Sequence, residues 1–216
     1  MADIFINDNL RLNRSGLQVK DSNDSWIDLH CQQGRLDGAC VVYSVVMALL
    51  SIGYINSEDI DVNKDPNPDK RTDKGKLLSR LLDEKGLIRD GYYVRTMAKI
   101  LRTFCPDLII TTHRKEDIIV PAIRECAMNN IPVVLIVQND DMSHAVFVVG
   151  FEYNGDKTSK ILCVDPGVRN ETTAYWNCII DVSRKANGNY PFWYITSEIK
   201  SKIELQEIIT IKEDKD

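Results

Sequence analysis

The stretch QQGRLDGACVVYSVVMALLSIGY, residues 32–54, decides how this chain reads. Its first part is a loop with two glycines, Gly34 and Gly38. Its second part is apolar on every side, and no charged residue occurs from Gly38 to Ser57. The pattern predicts a helix over 40–52, ended by Gly53. A membrane span needs about 20 predominantly apolar residues, and Tyr43, Ser44, Ser51 and Gly53 interrupt this run. The expectation is a central helix buried in a protein core, with no membrane as partner. Cys40 opens that helix. A thiol there feels the positive end of the helix dipole, which favours the nucleophilic thiolate. Gly38 and Ala39 are small enough to let a substrate chain approach the sulfur. Gln33 is a candidate side-chain donor to an oxyanion, a role worth ~3–4 kcal/mol in other enzymes. The Cys40 amide, without an acceptor inside the helix, is a second donor. Taken alone, Cys40 reads better as a small buried hydrophobe.

Outward from this stretch, short strands are expected at 3–6 and 17–19, and a solvated charged loop at 63–71. Thr72 or Asp73 caps a helix that carries Leu77, Leu78, Leu81 and Leu82 on one face, with Gly86 past its end. Gly91 precedes another amphipathic run through Tyr92, Val94, Met97, Ile100, Leu101 and Phe104, which stops before Pro106. A strand at 108–112 and a helix at 116–130 follow, the helix starting late or kinking at Pro121. The period then changes. Apolar runs at 131–137, 144–151 and 160–164 read as buried strands, with 154–159 a hairpin turn, and further strands fall at 190–196 and 203–211. Helices before strands indicate an α+β class, expected as one domain over 1–216, helical over about 40–130 and sheet-forming over about 131–211.

Two residues in the sheet half give Cys40 company. His144 follows the polar loop Asn139-Asp140-Asp141-Met142-Ser143 and opens a buried strand, which holds it in place within reach of solvent. Asp165 closes the next strand but one hairpin later, 165 − 144 = 21 residues on, ahead of Pro166-Gly167. The mouths of two antiparallel strands meet, so the carboxylate is expected beside the imidazole and would fix its tautomer. Singly, His144 reads as a structural histidine and Asp165 as an Asp-Pro turn residue. Together they suggest a Cys–His–Asp constellation. His30-Cys31 is not a metal pair, since neighbours in a strand point to opposite faces. Trp193, in an aromatic strand, reads as core.

The loop QQGRLDGAC entering an apolar helix resembles the papain-like cysteine peptidases. The pair SHAVFVVGFE and ILCVDPG is similar to their C39-type branch, the bacterial bacteriocin-processing peptidases and their stand-alone relatives. The likeness covers about 32–52 and 143–168. It implies a papain-like fold, with the central buried helix packed on a small antiparallel sheet. It also implies Cys40 as nucleophile, His144 as general base and acid, Asp165 as orienter, and Gln33 (or the adjacent Gln32) as oxyanion donor. The expected activity is hydrolysis of peptide bonds through a thioester acyl-enzyme, with a peptide or protein as substrate and no metal or cofactor. An acyltransferase, deamidase or cross-linking enzyme uses the same three groups, and a peptide-binding module on the same scaffold is a further alternative.

Composition agrees with a folded body. The chain has 216 residues, 44% of them apolar and 27% charged, and a net charge of −5. An acidic chain without a basic run is not built to bind nucleic acid. Six cysteines, none in a C-x-x-C pair, and an N-terminus without a basic-then-apolar run point to reduced thiols in the cytoplasm, or to export without a standard signal.

Overall fold

The computed structural model describes residues 2–34, 38–61, 68–82, 93–185 and 188–214. Its strands, in chain order, begin with β1 (Asp3–Ile6), β2 (Leu10–Asn13), β3 (Gly16–Lys20) and β4 (Trp26–Asp28). Three helices follow: α1 (Cys40–Ser51), α2 (Asp73–Leu81) and α3 (Val94–Phe104). Next come β5 (Leu108–His113), α4 (Glu116–Met128), β6 (Val133–Gln138), β7 (Ser143–Asn154) and β8 (Lys157–Val164). The last three strands are β9 (Cys178–Asp181), β10 (Phe192–Thr196) and β11 (Lys200–Glu213). The expectations at Gly86, Gly91, Tyr92 and most of the charged loop lie outside the described residues.

Strands β6 to β11 pair antiparallel, each with the next, and β11 returns to pair with β6. The result is a closed six-stranded barrel. Strands β7 and β11 run beyond it. The far end of β7 pairs with β1 in the register Phe5↔Phe151, and the far end of β11 pairs with β5 in the register Ile110↔Ile211. Register shifts at Val148/Gly150 in β7 and at Leu205/Glu207 in β11 turn the two long strands out of the barrel path. A separate sheet joins β2, β3 and β4.

This architecture corrects the expected papain-like fold. In place of a central helix laid on a small antiparallel sheet, a closed antiparallel barrel dominates, with four α-helices among the described residues. Strand alternation shows the reason. Val133, Leu135 and Val137 of β6 and Val146 and Val148 of β7 join Ile161, Ile180, Phe192, Tyr194, Ile203 and Leu205 in one buried cluster. The residues between them, Val134, Ile136, Ala145, Phe147 and Val149, belong to a second cluster with α1, α2 and α3. The uninterrupted apolar runs are therefore strands buried on both faces. Each such side chain contributes about 1.5–3 kcal/mol by leaving water. Ile119 and Ile123 of α4, one turn apart, enter the first cluster.

Helix α1 is buried along its length except at Tyr43 and packs on β7, β6 and β3. Gly53, at φ +66°, turns the chain out of it with its amide donating to the Leu50 carbonyl at 3.0 Å. Thr72 caps α2, its hydroxyl accepting from the Gly75 amide at 2.9 Å. Trp193 differs from expectation. It is half-buried, with the Lys200 and Lys202 ammonium groups 4.9 and 5.6 Å from its ring. Among the described residues no helix is long and apolar enough to cross a membrane.

The seam between β1 and β7 leaves no room for a side chain at Gly150. A Cβ added at Gly150 would lie 2.1 Å from the Phe5 carbonyl oxygen. Gly150→Ala is expected to lower stability by about 1–3 kcal/mol, the cost of overpacking a filled site. Urea unfolding followed by circular dichroism checks this.

Candidate active site

Three side chains from three elements converge. Cys40 is the first residue of α1, His144 the second of β7, and Asp165 directly follows β8. Strand β8 ends at Val164 opposite Phe147, so the next residue comes level with the start of β7. There His144 Nε2 lies 2.8 Å from Asp165 Oδ1. The Cys40 thiol lies close enough to the same imidazole for each to shift the other's ionisation. Since Nε2 is engaged by the carboxylate, Nδ1 is the nitrogen left for the sulfur. The Ser44 hydroxyl, buried one turn into α1, donates to the Ala145 carbonyl at 3.1 Å. That bond ties the first turn of α1 to the residue after His144.

Asp165 has 0% of its surface exposed. Its Oδ1 accepts from His144 and from the Gly167 amide at 2.6 Å, and its Oδ2 accepts the Tyr194 hydroxyl. The backbone of the turn is held as closely. The Asp165 amide donates to Asn177 Oδ1 at 2.6 Å, and Asn177 Nδ2 donates to the Asp165 and Arg169 carbonyls at 3.0 and 3.2 Å. His30 Nε2 lies 3.0 Å from the Val168 carbonyl and 3.3 Å from that of Asp165. The Gln33 amide donates to the Pro166 carbonyl at 2.7 Å, which sets Gln33 beside the turn, while Gln32 is exposed. Residues 35–37 of the loop lie outside the described residues.

The electrostatics favour a charged pair. Burial pushes the Cys40 thiol up, but the hydrogen bond and positive charge of His144 outweigh it, helped by the Ala145 and Val41 amides, and the thiol lies below its ordinary value. Burial pushes His144 down, yet its bonds to Asp165 and Cys40 raise it to about 10. Burial works against the Asp165 charge, and the bonds from His144, Tyr194 and Gly167 bring its carboxyl below the ordinary range. The two shifts work together: each favours the charged form, thiolate at Cys40 and imidazolium at His144. Cys40 is 8% exposed and the His144 side chain 19%. Such a pair can attack an electrophilic carbon and then deliver a proton to a leaving group.

The contacts that Tyr194, Asn177, His30 and Ser44 make at this site escape the sequence reading. Tyr194 alone carries a signal. It alternates with Phe192 in a strand, and a phenol hydroxyl facing a core needs a partner. Among the described residues no three His, Cys, Asp or Glu side chains gather as a metal-binding group.

No family model matches the chain, and no curated protein does. The likeness to the C39-type branch thus has no support beyond the two patches that suggested it. Among solved structures the chain is similar to the crystal structure of UfSP from C. elegans, at 15% identity and a TM-score of 0.45. That match covers 99% of this chain and 35% of the other, so the chain spans about a third of the length of that protein. A likeness of this degree transfers no activity.

The charge pair has a direct consequence for alkylation. A depressed thiol stays ionised until the pH falls through its lowered value, and the imidazolium persists until the pH rises through about 10. Iodoacetamide at about pH 6 is expected to modify Cys40 ahead of Cys31 and Cys126. Burial pushes those two thiols up to about 12 and about 11. His144→Ala is expected to remove the low-pH reactivity of Cys40, read by peptide mass spectrometry.

Proposed function

We propose that the protein is a thiol hydrolase that cleaves peptide bonds, with Cys40 as nucleophile, His144 as general base and acid, and Asp165 as orienter. The observation that carries this reading is the convergence of three groups: a thiol beside an imidazole whose Nε2 lies 2.8 Å from a fully buried carboxylate. A grouping of this kind is costly to assemble in a protein interior, and each member supports the charge state that the next one needs.

In this reading an extended peptide reaches Cys40 where the N-terminus of α1 meets the start of β7. The thiolate attacks the scissile carbonyl carbon, and the carbonyl π electrons move to oxygen. The Cys40 amide, at the start of α1, faces the developing oxyanion, with the Gln33 side chain as second donor. Collapse of the tetrahedral species expels the amine, which takes its proton from His144. The remaining thioester is opened by a water that gives its proton back to His144, and free Cys40 returns. Throughout, Asp165 holds the ring in one orientation through Nε2 and balances its positive charge. The reading takes 1–216 as one domain, because α1 is buried against both the barrel strands and β3.

Turnover of a peptide library separates this reading from an inert scaffold. Cys40→Ala and His144→Ala are each expected to lower kcat by about 10⁴-fold or more, and Asp165→Asn by about 10²–10⁴-fold. The melting temperature is expected to stay within a few degrees for Cys40→Ala. Undiminished cleavage by the Cys40→Ala protein overturns the assignment.

A further inference from the structure

We propose that Tyr194 is a positioning residue of this site: from inside the barrel its hydroxyl holds Asp165 ionised and turned so that Oδ1 alone faces His144. The inference rests on the reading of Cys40, His144 and Asp165 as the reacting groups.

The two oxygens of Asp165 have separate duties. Oδ1 takes the imidazole and the Gly167 amide, and Oδ2 takes the Tyr194 hydroxyl. Rotation of the carboxylate would exchange these partners, and the phenol bond opposes that rotation. Tyr194 is itself only 4% exposed and is fixed on both sides, paired with Ile180 of β9 and with Ser201 of β10's other neighbour, β11. Both groups are buried, so without the hydroxyl Oδ2 loses the donor that the described residues give it. Its ring also stands edge-on to the imidazole, at 86° with centroids 6.3 Å apart, and walls the ring from the barrel side.

The titratable groups facing Asp165 are His144 from β7, Cys163 from β8, Cys178 from β9, Tyr194 from β10, and His30 from the segment before α1. Burial keeps both thiols far above their ordinary range, so they remain neutral and add no charge. Burial also lowers His30, whose Nε2 lies against the turn carbonyls and not against the Asp165 side chain. Tyr194 and His144 are thus the side chains that stabilise the anion. A donor to the charged form of a carboxyl lowers its pKa, and removal of that donor raises it. A carboxyl held low works above its folded pKa and fails as the pH falls through it. Loss of the phenol moves that failure to higher pH.

The test uses the full chain and iodoacetamide as probe, with the alkylation rate of Cys40 followed against pH by peptide mass spectrometry. Tyr194→Phe keeps the ring and its packing and deletes only the hydroxyl. The acid limb of its profile is expected to lie about one pH unit above that of the parent. On an Asp165→Asn background, where no charge remains to hold, Tyr194→Phe is expected to add no further shift. A packing role would lower the melting temperature and leave both profiles in register with their parents. If the parent shows a reactive low-pH Cys40 and Tyr194→Phe overlays it, the positioning role is overturned and the hydrolase reading stands. If the parent Cys40 shows no enhanced reactivity at low pH, the reading of the site falls and the positioning role falls with it.

Discussion

A carboxylate with no exposed surface stands behind the imidazole, and much of the surrounding structure answers to it. Taking an ion of this size out of water costs several kcal/mol even after the protein relaxes. The cost is offset at Asp165 by three donors to its oxygens and by a full positive charge on His144. Those donors come from β7, from the turn after β8 and from β10, elements far apart in the chain. They can meet only if the strands between them close. Strand β9 stands between β8 and β10, paired with both, and so brings Tyr194 to the carboxylate.

The second constraint is the wall that β7 makes. One face of it joins the barrel interior and the other the helical core, so neither face is free to shift. A strand packed on both sides has a fixed register, because a slip of one residue would exchange the two sets of side chains. His144 is the second residue of that strand, and its position follows from this register. Helix α1 is placed by the same wall, through burial against β7 and through the Ser44 bond to Ala145. The placement of Cys40 beside His144 thus follows from packing on one strand.

Much of this was legible in the chain as local pattern. The apolar run after Cys40 is a helix, Cys40–Ser51, and the hairpin count of 21 residues does bring Asp165 to His144. Both are near-neighbour inferences, a helix period in one case and a two-strand turn in the other. The closed barrel was not legible. It depends on β9, a strand of four residues that follows the polar stretch 170–177, and on the return of β11 to β6 across more than sixty residues. Periodicity identifies a strand but not its partner, and the double burial of β6 and β7 suits an open sheet under a helix as well as a barrel wall. The resemblance to papain-like enzymes then supplied the wrong sheet. Tyr194 and Asn177 went unseen for the same reason. Their contacts with Asp165 exist only once β8, β9 and β10 lie side by side.

Folding alone gives little reason for a carboxylate at position 165. An apolar side chain packed in the same space would often leave a protein as stable or more so, because a buried ion pair seldom recovers more than its desolvation. A polar line from Cys40 through His144 to Asp165 and on to Tyr194 therefore sits in the molecule against the preference of its own core. The rest of that core follows ordinary rules: alternating strands, a capped α2, and leucines on one face of it. Departures of this kind concentrate where a chain performs work other than folding. The departure here is one connected unit in which the His144 side chain is 19% exposed, Cys40 is 8% exposed and the carboxylate is sealed. A network that existed to specify the fold would have no need to set a thiol of lowered pKa against its imidazole, and that is the physical case behind the chemistry proposed at Cys40.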